Sequence, residues 1–299
     1  MDITALTHRL SAEERASFER DGYLVVRQAL DAPSIAAMCE IVDQIDAKER
    51  TREHGARLLS VPNVLPRDER LLDLLDLPTT FPKVWGVLGW NVYCYHTHAD
   101  VTPPVPAGET PQWQVAWHQD SMRVNDEIEC HPRPRLSLKV GYYLTDASEP
   151  DRGNTLVVPG SHLWDDLDCP NDGVSCPNES VPLLLEAGDA VLLDRRVWHS
   201  RSPNWSGPTR KVIWIGYAYR WLRPKDEMTI GPYLSRVDSV RRQLLGAGSA
   251  NGTYDPQNDD VPLRAWLTEH APEDAAWKLH GHGAARPPAM VRGHLAGRQ

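Results

Sequence analysis

The 299-residue chain carries a formal charge of −9 and no basic stripe, which leaves a nucleic-acid partner without electrostatic support. Its five irregularly spaced cysteines (Cys39, Cys94, Cys130, Cys169, Cys176) match neither a disulfide framework nor a zinc-type Cys-x2-Cys pair, so free thiols in a reducing compartment are expected. No apolar run approaches the roughly 18 residues of a membrane span and the first residues lack the apolar core of a signal peptide, so the expected location is cytoplasmic, without a membrane partner.

In chain order, Ser11 reads as a helix N-cap, Glu14 completes a capping box, and the helix should stop near Asp21-Gly22. The β-formers of Tyr23 to Val26 predict a short strand. Residues 31–50 carry apolar side chains at helical spacing (Ile35, Met38, Ile41, Val42, Ile45), with Pro33 in the first turn. Residues 68–77 read as another short helix. From about residue 90, β-rich runs at 91–95, 136–144, 155–158, 181–185, 190–193 and 211–219 alternate with turn residues. This texture predicts an α+β chain, mainly β with helical additions: an antiparallel jelly-roll core behind an N-terminal helical layer. Residues 222–279 hold mixed helical segments, 233–245 among them, and the Gly/Ala/Pro/Arg-rich end reads as a mobile tail or a subunit-contact arm. One domain over 1–299 is expected, with the helical layer at 1–90, the jelly roll at 91–221 and helical segments and tail at 222–299.

Trp117-His118-Gln119-Asp120 carries the first chemical signal. On an extended strand, side chains two residues apart leave on one face, so His118 and Asp120 can share a divalent metal. Alone the pair is weak, because H-x-D also arises as a surface or capping pair. The second element is His199, which follows the apolar run Ala190 to Leu193 and precedes another β-rich run; a packed loop histidine would look the same. Two histidines and one carboxylate on one face of an octahedron leave three positions open, the geometry diagnostic of oxygen-activating iron(II). The third element is Arg210, at the start of the next strand. If residues 199–210 form a strand end, a loop and a return strand, its guanidinium can point back into the cavity and hold the distal carboxylate of a 2-oxo acid.

At these residues the chain resembles the phytanoyl-CoA dioxygenase family of iron(II)- and 2-oxoglutarate-dependent oxygenases, over roughly residues 12–225. The resemblance lies in SFERDGYLVV at 17–26, WHQD at 117–120, YYLTDASEPDRGNTLVVPGSH at 142–162, AGDAVLLDRRVWHS at 187–200 and TRK at 209–211. It implies a double-stranded β-helix (jelly-roll, cupin-like) fold, with His118, Asp120 and His199 as iron(II) ligands and Arg210 as the anchor of 2-oxoglutarate. It also implies that O2 is consumed and that a small molecule is hydroxylated at an aliphatic C–H, with release of succinate and CO2. His98, Lys139 and Thr155 fall at positions resembling further cosubstrate contacts. Thr102 stands where relatives often carry a lysine, so Lys139 is the candidate for the missing positive charge if it faces inward. Related halogenases lack the metal carboxylate, and Asp120 argues against that chemistry. Arg123, Asn125, Arg133 and Arg135 are expected in a loop over the mouth, where they would bind an anionic or polar substrate. Residues 164–180 look like an acidic lid. Trp113, Trp117, Trp198, Trp205 and Trp214 cluster around the metal segments, as pocket walls or as filling of the barrel ends. Two rivals stand beside this reading: a metal-dependent cupin-like enzyme that does not use 2-oxoglutarate, and a silent binding protein on the same fold.

Overall fold

The computed structural model describes residues 1–55, 57–227, 231–248 and 261–276. Helix α1 (Ala12–Asp21) starts at the expected capping box: the Glu14 N–H donates to Ser11 Oγ while the Ser11 N–H donates to the Glu14 carboxylate. It stops at Gly22, whose φ of +80° is the left-handed C-cap. A Cβ there would come 2.4 Å from Val197 and 2.6 Å from the His162 ring, so only glycine lets this turn close on the core. Strand β1 (Tyr23–Val26) and helix α2 (Ala32–Glu49) follow as expected, α2 capped by Asp31 and burying Met38, Ile41, Val42 and Ile45.

Three elements differ from expectation. Strand β2 (Leu59–Pro62) and helix α3 (Phe81–Leu88) were not foreseen, α3 because it is only eight residues long and holds Gly86 in its interior. Gly86 is required there by packing, since a Cβ would meet Leu10 at 2.7 Å. The helix placed at 68–77 is a 3-10 helix, Glu69–Leu74.

The β-rich half forms strands β3 (Val92–Thr102), β4 (Ser137–Tyr143), β5 (Thr155–Val157), β6 (Val181–Pro182), β7 (Ala190–Asp194), β8 (His199–Arg201) and β9 (Arg210–Tyr219), with a short helix α4 (Met122–Glu127) between β3 and β4. All pairings are antiparallel. A six-stranded sheet has the order β1-β7-β4-β9-β3-β2 and a three-stranded sheet the order β6-β5-β8. The run expected at 181–185 contributes only two strand residues, and Leu185 pairs separately with Ala147.

The larger sheet is buried on both faces, and strand alternation sorts its side chains. Leu138, Val140, Tyr142, Ile213, Ile215 and Tyr217 pack with the helices in the main core, while Tyr143, Val191, Leu193, Val212 and Trp214 build a second cluster towards the smaller sheet. In β3 the register slips between Cys94 and His96. This bulge changes the parity of the strand: Val92 and Cys94 face the main core before it, Ala99 and Val101 after it. His98 and Asp100 are thereby turned into the cavity between the sheets.

After β9, the expected helix at 233–245 resolves into a 3-10 turn (Gly231–Tyr233) and helix α5 (Ser239–Leu244), and a further helix spans Pro262–His270. The tail expected at the Gly/Ala/Pro/Arg-rich end lies outside the described residues. All five cysteines are free. Among the described residues no helix is long and apolar enough to cross a membrane.

Candidate metal centre

His118 and His199 are brought together by the backbone. The His118 N–H donates to the His199 carbonyl at 3.0 Å and the His199 N–H returns the bond at 3.0 Å, an isolated antiparallel bridge. Residues directly opposite in such a pair project to the same side, and here the ring centroids are 4.2 Å apart. Asp120, two residues on, returns to that side, its own N–H held by the Arg195 carbonyl at 2.8 Å. One atom from each of the three side chains lies within 4.8 Å of the others, and among the described residues no other group of three His, Cys, Asp or Glu does so. The H-x-D segment is not the strand that was expected. It has one bridging residue, His118, and Asp120 opens the turn into α4.

The two imidazoles are oriented alike. Each Nδ1 lies 2.8 Å from the carbonyl two residues upstream, Ala116 for His118 and Val197 for His199. A carbonyl only accepts, so each Nδ1 carries the proton and each Nε2 lone pair is left for a metal. Lys139 faces inward: its Nζ donates to Asp120 Oδ1 at 3.1 Å, lies 3.0 Å from Oδ2 and 3.0 Å from His199 Nε2. An ammonium is thus accommodated among these donors, which shows that the cluster is built to receive positive charge. Burial would raise the Asp120 carboxyl, but the Lys139 ammonium beside it, foremost among its neighbours, outweighs burial and holds it well below the ordinary carboxylate range. Burial, then Lys139 and His118, keeps His199 neutral.

A cavity of ≈ 310 Å³ runs from this cluster to Arg210 and is also lined by Lys139, Thr155, His98 and Trp214. Arg210 is 2% exposed. Its Nη2 donates to Tyr143 Oη at 3.2 Å and to Thr155 Oγ1 at 3.1 Å, while Nε and Nη1 are buried without a partner. Buried guanidinium N–H groups left unpaired are costly, and a ligand carboxylate is the group that satisfies two of them at once. His98 stacks against Trp214 at 6.0 Å, its Nδ1 is buried and unpartnered, and burial brings its pKa down to about 4. Six of the seven singled-out residues therefore border one cavity, with Lys139 at the His199 end and Thr155 against Arg210, and the seventh, Asp120, lies in the adjoining cluster with His118 and His199. Asp100 and Arg201 line the same cavity and Tyr143 reaches it through Arg210; Tyr143 and Arg201 were missed, and alternation of β8 from His199 to Arg201 was the available signal for Arg201.

The loop residues assigned to substrate do not border this cavity. Arg135 is bound to Glu19 and Asp194, Arg133 to the Gln119 side chain and the Asp165 carbonyl, and Arg123 forms an exposed pair with Glu127. Asn125 is buried between Gln119 and Arg195. Arg135, Arg133 and Asn125 each have a partner distant in sequence, which is why that part of the loop looked free. Gln119 is the hub: its Nε2 donates to the Trp164 and Arg196 carbonyls at 2.9 and 2.6 Å, and its Oε1 accepts from Asn125 and Arg133. Of the tryptophans, Trp113 and Trp214 line the cavity, Trp198 is buried and Trp205 is largely exposed. Trp117 Nε1 donates to the Ser175 carbonyl at 3.2 Å, and the N–H groups of Gln114 and Val115 both donate to the Gly173 carbonyl. The expected lid at 164–180 is therefore braced against residues 113–117. A Cβ on Gly173 would meet the Trp113 ring at 2.4 Å.

Fold and site together define a cupin-like jelly-roll protein with a two-histidine, one-carboxylate cluster at its mouth. The family model described as phytanoyl-CoA dioxygenase (PhyH) matches residues 18–212, and the chain belongs to that family. It is 32% identical over 210 residues to the dioxygenase trt7 of Aspergillus terreus, covering 65% of this chain and 68% of that protein. It is 23% identical over 262 residues to the multifunctional dioxygenase prhA of Penicillium brasilianum, covering 77% and 80%. Among solved structures, the chain shares its fold with the non-heme alpha ketoglutarate dependent carbocyclase SnoK from nogalamycin biosynthesis, at a TM-score of 0.57, 20% identity and coverage of 77% of this chain and 91% of that one. HygX from Streptomyces hygroscopicus, solved with nickel and 2-oxoglutarate bound, gives a TM-score of 0.57 at 14% identity, covering 72% and 90%.

Proposed function

We propose that this protein is an iron(II)- and 2-oxoglutarate-dependent dioxygenase that oxidises an aliphatic C–H bond of a small molecule, with hydroxylation as the outcome and succinate and CO2 as coproducts. Family membership supports the class. The observation that carries the cosubstrate is Arg210: a buried guanidinium with unpaired Nε and Nη1, in the cavity that His118 and His199 of the His-Asp-His cluster also line.

In this reading His118, Asp120 and His199 hold iron(II), and Arg210 holds the far carboxylate of 2-oxoglutarate, supported by Tyr143 and Thr155. Bound iron and 2-oxoglutarate supply the activation of dioxygen, coupled to oxidative decarboxylation of the 2-oxo acid. The chain's own part is positional. The backbone carbonyls of Ala116 and Val197 hold a proton on each Nδ1, so that the neutral ring presents Nε2 to the metal. Asp120 stays ionised, held so by its cationic neighbours. Trp214 and Trp113 wall the cavity against water.

Anaerobic titration of the metal-free chain with iron(II) and then 2-oxoglutarate tests this. A weak visible charge-transfer band that needs both additions and disappears in Asp120→Ala is expected. Metal uptake without response to 2-oxoglutarate favours a cupin-like enzyme of another class, and absence of metal uptake favours a binding protein.

A further inference from the structure

Arg201 ends β8, two residues beyond His199, so strand alternation turns it to the same cavity. Across the sheet it pairs with Thr155, the residue that hydrogen-bonds Arg210. It borders both the metal cavity and an outer cavity of ≈ 670 Å³ walled by Pro103, Pro106, Pro111 and Trp113, and therefore stands at the neck between them. A guanidinium has five N–H donors. Among the described residues Arg201 uses them for one hydrogen bond, from Nη1 to the Ser202 carbonyl at 3.3 Å, and has no carboxylate within ion-pair distance. A guanidinium is a cation throughout the ordinary pH range, so Arg201 is a cation short of partners.

The charge balance of the cavity says what is missing. Its lining carries the cations Lys139, Arg201 and Arg210 and one carboxylate, Asp100, and Asp120, in the adjoining His-Asp-His cluster, is the second carboxylate of the site. Lys139 is paired with Asp120, and Asp100 accepts from Trp214 Nε1 at 3.2 Å. Under the function proposed above, on which this inference rests, a divalent metal and a dianionic cosubstrate cancel each other and leave one positive charge. Arg210 is taken by the cosubstrate, so the uncompensated cation is Arg201. The acids of the outer cavity, Glu53 and Glu109, are exposed and screened by solvent. We propose that Arg201 is a specificity-determining residue that holds a carboxylate of the substrate at the neck, so that the protein acts on an organic acid whose reacting carbon lies on the metal side of that carboxylate. A single residual charge matches a carboxylate better than a phosphate dianion, and the guanidinium fork matches it bidentately.

The test uses the whole chain loaded with Mn(II) and 2-oxoglutarate without oxygen, with trifluoroacetate as probe, read by paramagnetic broadening of its fluorine resonance. Saturable broadening with a Kd on the order of millimolar is expected in the wild type, weakened about tenfold or more in Arg201→Gln and partly kept in Arg201→Lys. Calorimetric affinity for 2-oxoglutarate should stay within about threefold in Arg201→Gln, which also reports an intact fold. The proposal is overturned if the wild type shows no saturable broadening, or if Arg201→Gln binds trifluoroacetate as well as the wild type. It is equally overturned if Arg201→Gln loses 2-oxoglutarate as severely as Arg210→Gln, since Arg201 would then be part of the cosubstrate clamp. Failure of the wild type to take up 2-oxoglutarate at all would instead remove the reading beneath it.

Discussion

The indole of Trp214 lies where a side chain of Gly141 would be: a Cβ at 141 would come 2.5 Å from the ring. The two residues are cross-strand partners in β4 and β9. On this indole rest the Lys139 ammonium, 4.7 Å from the ring centroid, and the His98 ring. The glycine thus sets the height of the cavity floor. Gly141→Ala should destabilise the fold by about 1–3 kcal/mol through overpacking. Combining it with Trp214→Leu should recover part of that loss in urea unfolding, whereas strictly additive losses would show that the two residues are not sterically coupled.

Arg210→Gln should abolish tight 2-oxoglutarate binding. Removing one partner of a buried, charge-assisted pair costs about 2–5 kcal/mol, which corresponds to roughly 30-fold or more in Kd. Metal affinity measured without cosubstrate should change little, because Arg210 touches Tyr143 and Thr155 and none of the candidate ligands. A variant that binds 2-oxoglutarate normally would remove Arg210 from its assigned place.

The middle residue of H-x-D carries a prediction of its own. Gln119→Leu deletes four hydrogen bonds and strands their buried partners. A loss of about 2–4 kcal/mol in stability and about 10–100-fold in metal affinity is expected, because the residue sits between two candidate ligands. Thermal unfolding and metal titration followed by tryptophan fluorescence would show both, and an unchanged metal affinity would contradict the positioning role.

Asp194 gives the fold its acid sensitivity. Burial alone would raise its carboxyl, but Arg196 and Arg135 outweigh burial and bring the pKa from 3.8 to about 2. A folded-state pKa below the unfolded one means stability that is present above about pH 4 and lost as pH falls towards 2, worth roughly 2 kcal/mol. Asp194→Asn should flatten the stability profile across that window. Equal slopes for the two proteins in urea unfolding at successive pH values would show that other groups dominate.

The parts of this molecule legible in its sequence are those governed by neighbours in the chain. The capping box at Ser11, the stripe from Ile35 to Ile45 and the β-rich runs that form β4 and β9 depend on near neighbours alone. His118, Asp120, His199 and Arg210 were singled out because spacing and family resemblance agree on them, and the fold brings them together. What stayed hidden depends on long-range partners. Arg135 was read as a substrate contact because Glu19 and Asp194, which neutralise it, lie far away in sequence. The bulge after Cys94 breaks the alternation of β3, so local β-formers marked only 91–95, and the second half, with His98 and Asp100, read as strand through the family resemblance alone. The orientation of Lys139 was undecidable until its position between Asp120 and His199 was known.

The bracing of residues 113–117 by residues 173–175 bears on how such a protein diversifies. The roof over the cavity is one unit assembled from two stretches of chain, with Trp113 seated where a side chain of Gly173 would be. Exchanging either stretch alone against that of a relative would leave a loop without its counterpart. Moving both together leaves the strands that carry His199 and Arg210 untouched. A chimera that keeps this packing therefore needs two insertion points, one for each stretch.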